Sequence, residues 1–196
     1  MRTRTRNEVE CKVTIRRPHP KQNVIRLSKA KRKVVRAGRR GGKTVVAATI
    51  SVEKLLEGKR VLYAAPTSEQ LETWWFEVKK ALGKAIEMGV LKKNEMTHSI
   101  GVPGTKNYMR GKTAWNADML RGDYADFLVL DEYQLMNEDA WELVGAPMLL
   151  DNDGDAMFIY TPLSLHTKSA SKARDPRHAA RMFKKATEDE TGRWAA

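Results

Sequence analysis

Seven residues, Gly38-Arg39-Arg40-Gly41-Gly42-Lys43-Thr44, bring glycines, two guanidinium groups, an ammonium and a hydroxyl into one short stretch. That mixture suits phosphate binding. Glycines let backbone N–H groups turn inward on phosphate oxygens, a lysine reaches the outer phosphates, a hydroxyl can ligate Mg²⁺, and a helix beginning there favours anions. The usual spacing is Gly, four residues, Gly-Lys-Ser/Thr, and here Ala37 stands where the first glycine belongs, with Gly38 beside it. Taken alone, Gly-Gly-Lys-Thr also fits a flexible turn.

A second constellation is Phe127-Leu128-Val129-Leu130-Asp131-Glu132, an apolar run ending on two carboxylates. Four consecutive apolar residues predict a strand buried on both faces, with the acids at its C-terminal end, where open α/β sheets place their sites. Asp131 could hold Mg²⁺, through water, opposite the Thr44 hydroxyl, while Glu132 orients and deprotonates an attacking water. A kinase needs no second acid beside the metal aspartate, so the pair favours ATP hydrolysis. The alternative is an acidic pair that only closes a core strand and caps a helix. Phosphoryl transfer also needs cations around the transferred oxygens. Arg39 and Arg40 are candidates in the loop, with solvation preferred for Arg40; Arg121, on the approach to the acidic strand, could instead point toward a neighbouring subunit.

These groups need a frame. Val34 to Arg36 reads as a strand and Val45 to Leu56 as the following helix. Gly58 and Lys59 close the turn into a strand over Arg60 to Ala65, and Thr67 or Ser68 caps a long helix running to Ile86. This alternation predicts an α/β domain with a parallel sheet that sets the loop strand and the acidic strand side by side. Trp74, Trp75 and Phe76 are consecutive and cannot all face one way on a helix, so at least one covers an outer surface or a partner contact. Met96 to Ala117 reads as a hairpin or meander at the sheet edge, with turns at Gly101 to Gly104 and at Gly111-Lys112. Later come a helix near Glu138 to Leu150 and an acidic turn, Asp151 to Asp155. The turn fails the calcium-loop pattern because Ala156 replaces the required glycine and Pro162 the terminal glutamate. A strand over Ala156 to Tyr160, a loop over Ser164 to Asp175 and a short helix over Arg177 to Lys185 follow. Before the loop strand, Pro18 and Pro20 predict an extended entry and Val24, Ile25 and Leu27 a short helix.

At 196 residues the chain can bury roughly 70% of its unfolded surface and form its own core. A single cysteine, Cys11, excludes an internal disulfide, and no apolar run approaches a signal sequence or a membrane span. These features predict a soluble intracellular protein. The net charge of +12 is concentrated early: residues 1–36 hold thirteen Lys/Arg against Glu8 and Glu10, and the remainder twenty-three against twenty-two acids. Such a segment is either an arm for nucleic acid or an acidic neighbour, or a solvated tail. It has no base-stacking platform, because the first aromatic residue is Tyr63.

The order of these motifs resembles the ATPase domain of large terminase subunits, the motors that package DNA into capsids of tailed phages and related viruses. The match runs through His19-Pro20-Lys21-Gln22, Ala37 to Thr44, Ala65-Pro66-Thr67, Leu120-Arg121-Gly122, Val129 to Glu132 and Tyr160-Thr161-Pro162. The resemblance implies a P-loop NTPase of the ASCE type, with a mainly parallel sheet flanked by helices and a small β-hairpin insertion. By likeness, Gln22 binds adenine, Arg39 contacts the γ phosphate, Arg121 is a finger offered to the next subunit of a ring, and Thr161 couples hydrolysis to motion. Ala37 becomes a family trait, since the family often lacks the first loop glycine. The implied ligands are ATP and Mg²⁺. The implied partners are double-stranded DNA, the portal of the procapsid, the small terminase subunit and further copies of the chain, in the host cytoplasm and with no membrane. The implied division is a basic segment over residues 1–33 carrying the adenine motif, an ATPase core over 34–165 and a lid or linker over 166–196. No room is left for the family's nuclease domain, so no DNA cleavage is expected. Two other classes stay open: a helicase-like ATPase, and a non-catalytic module that binds DNA or portal and holds nucleotide only structurally.

Overall fold

The computed structural model describes residues 11, 13–114, 116–162 and 172–196. The basic residues at positions 1–10 and most of the loop expected over Ser164 to Asp175 lie outside the described residues. The described elements begin with α1 (Pro20–Leu27), β1 (Arg32–Arg36), α2 (Lys43–Leu56), β2 (Val61–Ala65) and α3 (Ser68–Glu87). There follow β3 (Lys92–Asn94), β4 (Ser99–Gly101), β5 (Tyr108–Thr113), a 3-10 turn (Ala117–Leu120) and β6 (Phe127–Leu130). A second 3-10 turn (Tyr133–Leu135), a π-helical stretch (Ala140–Gly145), α4 (Ala146–Met148), β7 (Asp155–Tyr160), α5 (His178–Thr187) and β8 (Trp194–Ala195) complete them.

One sheet joins all eight strands in the order β3-β4-β5-β2-β6-β7-β1-β8. From β5 to β8 every pairing is parallel, whereas β3 and β4 form an antiparallel edge on β5. Both faces are covered, which is why the central strands are apolar runs without alternation. Val61, Tyr63, Val129 and Met157 face α2 and α3, packing with Val46, Ile50, Trp74, Trp75 and Val78. Leu62, Ala64, Leu128, Leu130 and Phe158 face the other way, onto Tyr133, Trp141, Val144, Leu149 and Ala179. On α3, Trp74 and Trp75 are fully buried while Phe76, two 100° steps on from Trp74, is 61% exposed.

Several expectations change. The loop strand and the acidic strand are not neighbours: β7 lies between them, with Val34 opposite Phe158 and Val129 opposite Met157. The reason is burial. Five of the six residues of β7 are buried, so it needs a strand on each side to satisfy its backbone. Gly111-Lys112 is not a turn but the middle of β5. A Cβ at Gly111 would lie 2.5 Å from Leu71 Cδ1 and 2.9 Å from Trp74 Cζ3, so glycine is there to admit the face of α3. Pro20 does not extend the entry; it is the first residue of α1, where a missing N–H costs nothing. The described part of the segment expected as a lid or linker, residues 172–196, packs on the core, with Ala179 and Ala186 of α5 buried and β8 paired with β1. At the other end, Cys11, Val13 and Ile15 have no regular structure but pack against the α2–α3 core.

The end of the sheet remote from the loop, where its central strands begin, is locked by Asp126. Its carboxylate accepts hydrogen bonds from Arg60 N at 2.8 Å, Nε at 3.1 Å and Nη2 at 3.0 Å. Its own carbonyl accepts from Asp155 N at 2.8 Å, so one residue ties together the starts of β2, β6 and β7. The Arg60 side chain holds the carboxyl below its ordinary range. A depressed folded-state value means stability that is present above the unfolded carboxylate pKa and lost as pH falls through the folded one. Asp126→Asn should therefore cost about 1–3 kcal/mol at pH 7. In urea unfolding, the gap from wild type should narrow as the pH is brought to about 3.

Candidate active site

The phosphate loop grows from the end of β1 and closes into α2 through two left-handed residues, Arg40 (φ 60°) and Gly42 (φ 71°). Glycine suits position 42, because a φ of 71° strains any other residue and a Cβ there would sit 2.6 Å from Gln22 Nε2 and push that amide aside. Gly41 N donates to Gly38 O at 3.3 Å, which rounds the loop. Lys43 folds its ammonium back over this arch and donates to Ala37 O and Gly38 O, both at 3.0 Å. Ala37 is accommodated without strain, its N–H reaching Tyr160 O of β7 at 3.4 Å. Arg39 is exposed on the loop.

Gln22 is brought to this loop from α1. Its Oε1 accepts from His19 N at 2.8 Å, and the His19 ring accepts from Lys21 N at 3.3 Å, giving a capping box with histidine as the cap. The other end of the amide, Nε2, donates to Gly42 O at 3.0 Å. Beside these groups is a cavity of about 580 Å³, bordered by Gln22, Ile25, Val35, Arg40 and Lys43. That volume is within the range of small-molecule sites.

Although β7 separates the two strands, their ends converge. Thr44 Oγ1, at the start of α2, donates to Asp131 Oδ2 at 3.1 Å. A hydroxyl and a carboxylate oxygen side by side are the hard oxygen donors that Mg²⁺ would take, directly or through water. Asp131 is buried, and burial pushes its carboxyl above the ordinary range. The Tyr63 hydroxyl, donating to Oδ2, opposes this, and the neighbouring Glu132 charge adds to it. A divalent cation would offset the same burial, so the donor set fits the metal.

Glu132 follows in the left-handed region, at φ 48° and ψ 44°, an arrangement that costs a non-glycine residue on the order of 1–3 kcal/mol. Its N–H is anchored on Asp131 Oδ1 at 2.9 Å. Both carboxylate oxygens have donors: Oε2 accepts from Gln134 Nε2, and Oε1 from Thr161 Oγ1 at 3.2 Å. Thr161 can reach because β7 lies beside β6 and ends there. The structure thus gathers Gln22, Gly38, Gly41, Gly42, Lys43, Thr44 and Asp131 at the loop, with Glu132 and Thr161 joined beside them. It does not bring Arg121 among them. Arg121 ends the first 3-10 turn, exposed, with Nε on Asp118 Oδ1 at 2.6 Å.

Two site residues are absent from the sequence reading. Tyr63 is hidden inside an otherwise apolar strand, where its hydroxyl was the signal that a buried partner must exist. Gln134 sits two residues past the acids, a polar residue in the apolar run Tyr133 to Met136.

No family model matches the chain. The large terminase subunit of Thermus virus P23-45 is 30% identical over 168 residues, 76% of this chain and 35% of that protein. The chain thus spans about a third of the length of the curated relatives it matches. The solved ATPase domain of the Thermus phage P74-26 large terminase superposes with a TM-score of 0.66 at 30% identity, covering 76% of this chain and 67% of that one. A large terminase of a thermophilic bacteriophage, solved in complex with ATP-gamma-S, shares the fold at 16% identity and a TM-score of 0.51, over 72% of this chain and 37% of that one. With two thirds of the P74-26 domain matched at 30% identity, this chain belongs to the phage large terminases, as their ATPase domain.

Proposed function

We propose that the chain is the ATP-hydrolysing motor domain of a large terminase subunit, driving viral DNA into a procapsid as one member of a ring. The observation that carries the reading is the end of β6: Asp131 faces the Thr44 hydroxyl across 3.1 Å, and the next residue offers a second carboxylate held by Thr161. The fold is shared with a terminase solved with ATP-gamma-S, which supports a nucleotide at the loop.

In this reading Lys43 exchanges its two carbonyl partners for phosphate oxygens, and the loop N–H groups and the start of α2 hold the remaining charge. Gln22 recognises the adenine from α1 by exchanging its bonds to His19 N and Gly42 O for the base, its amide carrying a donor and an acceptor on one carbon. Mg²⁺ held by Thr44 and Asp131 would neutralise charge on the phosphate oxygens. Glu132 takes a proton from the water that attacks the γ phosphorus, while the bond to the β–γ bridging oxygen breaks and ADP leaves. Arg39 in the same chain and Arg121 from the neighbouring subunit stabilise the charge that spreads over the transferred oxygens. Thr161, bonded to the Glu132 carboxylate and located at the end of β7, passes the loss of the γ phosphate to the sheet.

The partners proposed are double-stranded DNA, the portal, the small subunit and further copies of the chain, assembled at the procapsid in the host cytoplasm. No described helix is long and apolar enough to cross a membrane. No DNA cleavage is proposed for this chain, and metal-dependent cleavage of DNA by the pure protein would contradict that.

Release of inorganic phosphate from ATP tests the reading. It should require Mg²⁺, stop when the metal is chelated, and return when the metal is restored. Nucleotide binding with no phosphate release under any of these conditions would instead support a module that holds nucleotide structurally.

A further inference from the structure

We infer that Gln134 is a positioning residue for hydrolysis, its side-chain amide tying the backbone of Thr161 to the carboxylate of Glu132. The inference rests on the proposed ATP hydrolysis and deepens it. Gln134 lies in the 3-10 turn after β6, only 4% exposed. Nε2 donates to Glu132 Oε2, and Oε1 accepts from Thr161 N at 3.4 Å. Thr161 Oγ1 donates to the other carboxylate oxygen at 3.2 Å, so three residues close a ring across the ends of β6 and β7.

The chemistry of this ring selects the residue. One position must donate to a carboxylate and accept from a backbone N–H, which a primary amide does from the two atoms on its terminal carbon without changing its protonation. A carboxylate there would face Glu132 acceptor to acceptor, and a methionine would fill the space with neither group. One donor on each oxygen of Glu132 leaves a lone pair on each and fixes the plane of the carboxylate, hence the direction from which water can be met. The left-handed backbone at Glu132 cannot supply that constraint, because it sets only where the side chain starts. Since a misplacement of about 1 Å in a general base can cost roughly 100-fold in rate, a side chain that fixes the base belongs to the machinery without touching substrate.

The test compares steady-state ATP hydrolysis by wild type, Gln134→Met, Gln134→Glu, Thr161→Val and the Gln134→Met/Thr161→Val double variant, with Glu132→Gln as the blank. Gln134→Met should lower kcat by about tenfold or more with KM for ATP within about twofold of wild type, and Gln134→Glu should lower it further. The double variant should lose less than the product of the two single losses, because both act through one carboxylate. If Gln134→Met does not fold, Gln134→Glu, which keeps the size and shape, carries the comparison. Wild-type kcat in a folded Gln134 variant, or a fall in stability with kcat unchanged, would overturn the inference and leave the hydrolytic reading intact. Equal KM and kcat effects that multiply independently of Thr161 would overturn it too. A wild type no faster than Glu132→Gln would sink the hydrolytic reading itself, and this inference with it.

Discussion

Glu132→Gln should still bind ATP but turn it over about 10³-fold more slowly than wild type, the range expected on removing a general base. The substitution keeps the shape of the side chain and its left-handed start, so the site should remain assembled. Of the two donors on the carboxylate, the Thr161 hydroxyl can reverse its role and accept from the new amide, while Gln134 keeps an amide oxygen to donate to. What is lost is the capacity to take a proton. Equilibrium binding of ATP and the rate of phosphate release, measured on the same preparation, separate the two properties. Unchanged turnover would remove Glu132 from the chemistry and return it to a strand-closing role.

Arg121→Ala should be as damaging, with kcat lower by about 10³-fold or more if the guanidinium serves as the finger of a neighbouring subunit. The fold gives this residue little structural work. Its side chain is 63% exposed and bonded to an equally exposed Asp118, so stability should stay within about 0.5 kcal/mol of wild type. An exposed arginine apart from its own chain's loop is what a group acting across an interface requires. Mixing supplies the decisive comparison. Arg121→Ala subunits retain Glu132, and Glu132→Gln subunits retain Arg121, so a mixed ring contains interfaces with both groups intact. Activity should reappear in the mixture although each variant alone lacks it. Failure of that rescue would assign Arg121 to its own chain or to the surface.

The parts legible in the sequence were those fixed by local physics. A β-branched run before glycines and Lys43-Thr44 must become strand, loop and helix, and an apolar tetrad before Asp131-Glu132 must become a central strand. The outward turn of Phe76 followed from helical spacing alone. What escaped depended on contacts between distant segments. Nothing near Val34 or Val129 says that β7 will insert between them, because strand order is decided by which buried strand needs two neighbours. Gly111 looked like a turn residue, and only Trp74 and Leu71 across the layer explain it inside a strand. Tyr63 and Gln134 were missed for the same reason, as each is read correctly only when its partner, Asp131 or Thr161, is known. The insertion of β7 also explains how Thr161 reaches Glu132, since it carries that hydroxyl to the end of β6.

The central claim is that this chain completes an ATP-hydrolysing site with a second copy of itself. Specific ATPase activity measured across a wide range of protein concentration, in Mg²⁺ and with double-stranded DNA present, tests it most directly. Phosphate release per chain should rise with concentration and then level off as subunits associate, and the Glu132→Gln blank should stay flat throughout. Activity per chain that is constant from the lowest concentration would contradict the shared site, and no release above the blank at any concentration would contradict the motor.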